Sequence, residues 1–441
     1  MANVLLIGNG AREHAMAQAI VRSARAPQLF SYMKANNPGI ASLSKKSALG
    51  GYSDPGAIIR FAGECKIDFA VIGPEDPLNN GIVDALARAG IPSFGPTKSL
   101  ARLETSKTFT RELVTKYNIP GNPSYRIFTS MDGIDDFLRE IGESVIKPDG
   151  LTGGKGVRVQ GDHFQTREEA LQYCSEVLAG HSRVIVEEKL DGEEFSLQCI
   201  TDGKTVVATP PVQDHKRRFV DDKGPNTGGM GSYSCADHSL PFLKPSDIEA
   251  GLEITRRVAQ AIYMETGEYY RGVMYGGFIV TGKGIRLLEY NARFGDPEAM
   301  NIFPIMKTDF VDICEAVIRG ALDKVDAVFE KKATVCKYIV PKGYGLPADH
   351  PDASSTSARI EIGNVGGARL YYSSVDQRED GLYMSTSRAI GVVGIADTIE
   401  EAERIAECAI GAVKGPVAHR PDIGTKPLLE KRVRHMKKIR K

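Results

Sequence analysis

Short apolar runs and stretches of helical period alternate through the first hundred residues. Residues 4–7 are an unbroken apolar run, a glycine turn follows, and apolar side chains then recur at helical spacing to about residue 21. Runs at 29–33 and 69–72 repeat the strand signal, and a second helical stretch covers about residues 81–89. Strand and helix in alternation predict an open parallel sheet, whose ligands belong at the carboxyl ends of its strands. Residues 8–14 and 73–78 both fall at such ends.

The pattern then changes twice. A helix is expected over residues 99–117, broken by Asn118-Ile119-Pro120. Residues 123–190 have their own period, with strands at 124–128 and 145–147, helices at 132–141 and 168–178, and a strand from Val184 that runs into acids. Strands at 273–280 and 285–293 flank Thr281-Gly282-Lys283-Gly284 and read as an antiparallel hairpin, and helix follows over about 309–322. From about 331 short strands dominate, at 333–340, 359–362, 381–384 and 389–395. One helix stands among them, with Thr398 and Glu401 as a capping box and a run to about residue 413.

The expected fold class is therefore α/β and α+β. Residues 1–104 make an N-terminal Rossmann-like open parallel sheet, 105–330 a central two-lobed domain with a lid at about 123–190, and 331–441 a β-rich C-terminal domain. A length of 441 residues suits about three cores.

Composition narrows the function classes. The chain has 56 basic and 56 acidic residues, so no overall field favours nucleic acid or a membrane surface. Its seven cysteines are scattered without a CxxC pair, which points to reduced thiols rather than zinc or disulfides. The basic end, residues 431–441, reads as a solvated helix end. No apolar run is long enough for a membrane helix and no signal peptide opens the chain, so a cytoplasmic protein is expected, working as a monomer on small molecules.

The most informative stretch is 284–298. In a regular strand, a period of two puts Leu287, Glu289, Asn291 and Arg293 on one face and Leu288, Tyr290 and Ala292 on the other. At roughly 3.3 Å of rise per residue, the Cα atoms of Glu289 and Asn291 lie roughly 7 Å apart, so their oxygens can converge on a hard cation. A carboxylate with an amide suits Mg²⁺ or Mn²⁺, which keeps waters and substrate phosphates as its other ligands. Arg293 would stand beside them as an anion clamp.

Other signals gather around it. Gly8, Asn9, Gly10, Arg12 and Glu13 form a glycine turn before a helix, suited to a phosphate. Glu13 in place of the third fingerprint glycine, and Lys34 instead of an acid after the second strand, favour a sugar phosphate over NAD. Gly150, Gly153, Gly154 and Gly156, with Lys155 among them, leave the backbone free to wrap phosphate oxygens. Glu187, Glu188, Lys189 and Leu190 form a connector whose backbone can read a purine, and Glu194 can accept from a ribose. Residues 213–218 and 224–231 read as a long irregular polar segment of the kind that carries function. With Lys107 and Lys147 as cations, these features describe an ATP and divalent-metal site between two α+β lobes.

In this combination and order the sequence resembles the ATP-grasp enzymes, and among them the phosphoribosylamine–glycine ligase family of purine biosynthesis. The resemblance covers nearly the whole chain, and its most specific parts are 213–216, 225–231 and 288–298. It implies an ATP-dependent ligase that joins glycine to 5-phosphoribosylamine, giving glycinamide ribonucleotide, ADP and phosphate through a glycyl phosphate. On this resemblance Arg293, Lys216 and Asp214 are catalytic, and Glu289 and Asn291 hold the metal. Gly8, Asn9, Gly10, Arg12, Glu13, Glu75, His215, Gly228, Gly229, Met230 and Asp296 contact the substrates. The segment carrying Gly150 to Gly156 is expected to act as a lid. Tyr371-Tyr372-Ser373-Ser374-Val375 stands where the family usually has a His-Ala-Gly run, while Arg420-Pro421-Asp422-Ile423-Gly424 is retained.

Other ATP-grasp ligases, such as biotin-dependent carboxylase subunits or carboxyaminoimidazole ribonucleotide synthases, should lack the pairing of 214–216 with 228–231. A nicotinamide oxidoreductase rests on Gly8 to Gly10 alone, and a non-catalytic relative should have lost Glu289, Asn291 and Arg293.

Overall fold

Five parallel strands open the chain in a computed structural model that describes residues 1–151, 156–347, 349–355 and 357–441. Their order across the sheet is Lys46–Leu49, Gln28–Met33, Asn3–Ile7, Phe69–Ile72, Ser93–Phe94. Strand order reverses between Asn3–Ile7 and Phe69–Ile72, so a crevice opens beyond their carboxyl ends, between Gly8 and Gly73. The edge strand Lys46–Leu49 is half polar and carries no apolar run by which the sequence would betray it.

The expected helix over 99–117 is two helices, Arg102–Thr105 and Lys107–Lys116, because Ser106 breaks it. Its Oγ accepts from the Phe109 N–H as an N-cap, worth about 1 kcal/mol, and this leaves Lys107 as the first residue of a new helix rather than a mid-helix side chain.

Next comes a four-stranded antiparallel sheet in the order Tyr125–Phe128, Val184–Glu188, Ser144–Pro148, Arg158–Val159. The helices Ile134–Ile141 and Arg167–Gly180 cover it, and Phe128, Phe137, Leu138, Ile146, Cys174 and Val186 form its separate core. Gly153, Gly154 and Lys155 of the expected phosphate loop lie outside the described residues.

The second lobe is the antiparallel sheet Val206–Ala208, Gly192–Thr201, Gly272–Thr281, Gly284–Asn291. The long helix Pro245–Thr266, which adds to the elements expected from the residue pattern, packs on it, with Gly251 against Leu197 and Phe278. In the last strand pair, Phe278 faces Leu287 while the preceding Gly277 faces Glu289, so Leu288 is an extra residue, a β-bulge. This corrects the expected face pattern. Leu287, Tyr290 and Ala292 are all buried in the core, with the Tyr290 hydroxyl against Thr255, and Leu288, Glu289, Asn291 and Arg293 turn the other way.

The segment expected to be irregular is largely ordered as short strands. Gln213–Asp214 and Gly231–Ser234 join the C-terminal sheet beside Ala333–Pro341, followed by Ile390–Ala396 and Arg369–Tyr372, while Arg217–Phe219 pairs with Lys223–Asn226. Middle and C-terminal regions therefore share one sheet. Helix Ile399–Ile410 packs on it so closely that a Cβ on Gly394 would lie 1.8 Å from the Ala402 carbonyl oxygen. Thr398 Oγ1 accepts from the Glu401 N–H, but the Glu401 carboxylate turns to Arg404 instead of completing a capping box.

The basic end is not simply solvated. It is helix Lys426–Ile439, on which Arg432 contacts Glu193 and Asp222 while His435 contacts Asp191 and Glu193. These pairs tie the C-terminus back to the strand Gly192–Thr201. Among the described residues, no helix is long and apolar enough to cross a membrane.

Candidate active site

The N-terminal sheet, the two lobes and the C-terminal sheet meet around a cavity of about 480 Å³. Arg12 and Glu75 reach it from the first unit, Lys107, Gly150 and Glu187 from the lobes, and Arg388 from the C-terminal unit. The bulged strand delivers Glu289 and Asn291, and Arg293 follows two residues later.

Charges in this cavity are tightly coupled. Burial alone would raise the Glu289 carboxyl, but Lys216, Lys107 and Lys147 together hold it below the usual carboxylate range. Lys216 Nζ lies 3.8 Å from both Glu289 and Glu194. Arg293 donates from Nε to Glu75 at 3.1 Å, its Nη2 lies 3.0 Å from Glu104, and it reaches Asn291 Oδ1 at 3.4 Å. Burial would raise Glu75 as well, yet Arg293 and Arg12 pull its carboxyl down to about 2. The expected free anion clamp is thus an arginine already aimed by two carboxylates, of which Glu104 was not anticipated.

Lys107 Nζ donates to the Gly150 carbonyl at 2.8 Å, which ties the start of its helix to the glycine segment. Lys147 Nζ sits 2.7 Å from Glu187 and donates to the Leu288 carbonyl at 3.3 Å. Glu187 is fully committed to Lys147 and Arg111, which draw its carboxyl down to about 2 against burial. Its side chain therefore belongs to the frame of the cavity. Next along the connector, the Glu188 N–H donates to the Ser124 carbonyl and the Lys189 N–H to the Glu143 carbonyl. Those two amides hold the lid sheet together, and Lys189 Nζ lies near Glu143 at the surface. Leu190 remains half-buried where the chain passes from lid to second lobe. Gly156 accepts from the Tyr173 hydroxyl at 2.7 Å.

A second acidic group borders the cavity. Asp214 and Glu298 both line it, and burial together with the Glu298 charge pushes the Asp214 carboxyl well above its ordinary range, opposed by Lys216 and Arg388. Glu298 accepts from the Tyr275 hydroxyl at 2.6 Å. Gly229, at φ +102°, lies so close to Asp214 that a Cβ would stand 2.7 Å from its Oδ1, so this loop requires glycine there. Arg388 donates to the carbonyls of Gly228 and Asp296, lies 3.2 Å from the Asp296 carboxylate and stacks over Tyr338. Neither Glu298 nor Arg388 is singled out by the sequence pattern, although Glu298 closes the 284–298 stretch.

Several expected substrate contacts point elsewhere. Met230 is fully buried in the core. His215 is buried beneath the loop, its Nδ1 3.3 Å from the Gly231 carbonyl oxygen, and burial with Arg432 and Arg420 nearby lowers it to about 3. It is neutral, with its ring tilted against Tyr233. Glu13 accepts from the Gly10 N–H at 2.6 Å and pairs with Arg12, filling the space that side chains on Gly8 or Gly73 would need. It shapes the turn from inside. Asn9 accepts from the Tyr52 hydroxyl at 2.8 Å, and of this turn only Arg12 lines the cavity among the described residues.

Donor chemistry at Glu289 and Asn291 fits Mg²⁺ or Mn²⁺. Among the described residues no group of three His, Cys, Asp or Glu side chains forms a complete metal cage. A held-down carboxylate and an amide oxygen supply two ligands and leave the remainder to water and phosphate oxygens.

Comparison with known proteins accords with this geometry. Residues 2–104 match the N domain of phosphoribosylglycinamide synthetase, residues 105–299 its ATP-grasp (A) domain, and residues 334–426 its C domain. A phosphoribosylamine–glycine ligase of Methanocaldococcus jannaschii is 47% identical over 99% of this chain and 100% of its own length. One from Methanosarcina barkeri is 46% identical over 99% of each. Among solved structures, a phosphoribosylamine–glycine ligase of Thermotoga maritima superposes with a TM-score of 0.80 at 26% identity, covering 96% of this chain and 100% of that one. A biotin carboxylase domain of Hydrogenobacter thermophilus shares the fold at a TM-score of 0.72 and 16% identity. The chain belongs to the phosphoribosylglycinamide synthetase family, whose relatives named here are phosphoribosylamine–glycine ligases.

Proposed function

We propose that this protein uses ATP to join glycine to 5-phosphoribosylamine, forming glycinamide ribonucleotide, ADP and phosphate in purine biosynthesis. The observation that carries the reading is the convergence of Glu289, Asn291 and Arg293 with Lys107 and Lys216 in one cavity, in a chain whose full length matches the family.

Chemistry explains the need for ATP. A glycine carboxylate is a poor electrophile without a leaving group, so one of its oxygens first attacks the γ-phosphorus as the bond to ADP breaks. The resulting glycyl phosphate has phosphate as its leaving group. The sugar amine attacks the acyl carbon, the C–N bond forms, phosphate departs and the amine loses a proton.

A divalent ion, Mg²⁺ or Mn²⁺, held by Glu289 and Asn291, supplies charge neutralisation on the phosphates. Lys107 and Lys147 hold the same phosphate region. Arg293, aimed by Glu75 and Glu104, holds the glycine carboxylate and then the tetrahedral oxyanion. Lys216 orients the phosphoryl acceptor. Asp214, whose carboxyl is pushed up by burial, receives the amine proton. Arg12 meets the sugar phosphate at the switch point of the first sheet. Glu188 to Leu190 face the purine and Glu194 the ribose.

Phosphate release from ATP by the purified protein tests the reading. Release that requires glycine and phosphoribosylamine together supports it; release with either alone, or with neither, overturns it.

A further inference from the structure

The bulge at Leu288 decides where the proposed metal ligands point, and one buried side chain grips it. Arg111, whose side chain is 3% exposed, uses all five of its N–H donors. Nη1 donates to the Leu287 carbonyl at 2.9 Å and to Asn122 Oδ1 at 3.0 Å, and Nη2 donates to the Leu288 carbonyl at 2.8 Å and to Glu187 at 3.0 Å. Nε donates to Glu187 at 2.7 Å.

Two neighbouring carbonyls on one guanidinium are informative. In a regular strand, successive carbonyls point to opposite sides, so a single planar group cannot take both. Here they converge because the extra residue turns the backbone. A regular continuation from Leu287 would place Glu289 on the core side and expose Tyr290. The grip also crosses between elements: Glu187 lies in the lid sheet, Leu287 and Leu288 lie in the second lobe, and Lys147 adds a second donor to the Leu288 carbonyl.

We propose that Arg111 is a positioning residue for the divalent-metal site, fixing the backbone at Leu287 and Leu288 so that Glu289 and Asn291 present their oxygens together. The inference rests on the reading of Glu289 and Asn291 as the metal pair. Arg111 borders the cavity, but all five of its N–H donors are taken by protein groups, so its action on the metal pair runs through the strand.

The test is Mn²⁺ binding to the full chain, followed by electron paramagnetic resonance with a non-hydrolysable ATP analogue present, alongside binding of that analogue in chelator. Arg111→Lys keeps the charge that Glu187 requires but has one ammonium in place of the fork. It should weaken Mn²⁺ by about tenfold or more, the range for changes just outside a metal's ligands, while metal-free analogue binding changes less than about threefold. Asn122→Ala, which loosens one arm of Arg111, should shift Mn²⁺ affinity in the same direction by less. Mn²⁺ affinity within twofold of the parent in both variants overturns the proposal, as does equal weakening with and without metal, which would make Arg111 a general brace. Glu289→Gln separates the two claims: if that variant keeps parental Mn²⁺ binding, the metal reading itself fails whatever Arg111→Lys does.

Discussion

Arg293 Nη2 lies 3.0 Å from Glu104 Oε1, and the other Glu104 oxygen accepts from the Ala292 N–H at 2.7 Å. One buried carboxylate thus holds both the arginine and the backbone that carries it. Glu104→Gln keeps the shape and an acceptor but removes the charge. Turnover should fall about 10²-fold, the usual effect of misplacing one charge-stabilising donor, with a stability loss of about 1–3 kcal/mol. Steady-state kinetics beside urea unfolding checks this; activity within twofold of the parent would mean that Arg293 is aimed by Glu75 alone.

Glu289 is the charged half of the proposed metal pair. Glu289→Ala should lose turnover by about 10²-fold or more while the protein stays folded, since the residue lines the cavity rather than the core. Near-parental turnover would remove it from the site.

Arg388 brings the C-terminal unit into the cavity. In Arg388→Lys a point charge replaces the guanidinium that spans Gly228, Asp296 and the Tyr338 ring. The half-saturating glycine concentration should rise about tenfold, equivalent to about 1.4 kcal/mol, with ATP saturation little changed. A shift in ATP and none in glycine would place Arg388 on the nucleotide side.

Stability should fall below about pH 6.5. His14 is lowered by burial to about 4 and His215 to about 3, against an ordinary value of 6.5, so both are neutral in the fold. In that window the unfolded chain binds protons that the folded chain does not, so stability is complete above 6.5 and lost as pH falls toward these values. At pH 5 each contributes a loss on the order of 2 kcal/mol. Below about 4.5, Glu75 and Glu187, both held near 2, steepen the decline. Urea midpoints at pH 7.5, 6 and 5 should drop in sequence, and His215→Gln should flatten the drop; a level profile would contradict the burial argument.

Much of this architecture is legible in the residue pattern, and the exceptions have physical causes. The parallel sheet follows from apolar runs alternating with helical stretches, and 284–298 announces itself because acids and an amide interrupt an otherwise apolar strand. The bulge does not, because Leu287 and Leu288 are both apolar and either can face the core. Ser106 looks helical until its hydroxyl is seen capping the next helix. Glu104, Arg111 and Arg388 reach their partners only through tertiary structure, and no local pattern marks them. Met230 lies in a glycine-rich turn, Glu13 just after one and His215 in a polar run, all of which look functional, yet burial turns their side chains inward.

The route of one oxygen atom distinguishes a glycyl phosphate pathway from any other. With glycine carrying ¹⁸O in its carboxylate, ATP and phosphoribosylamine, the phosphate released by this protein should carry ¹⁸O, because the carboxylate oxygen that takes the phosphoryl group leaves with it. Unlabelled phosphate alongside product formation would contradict the account.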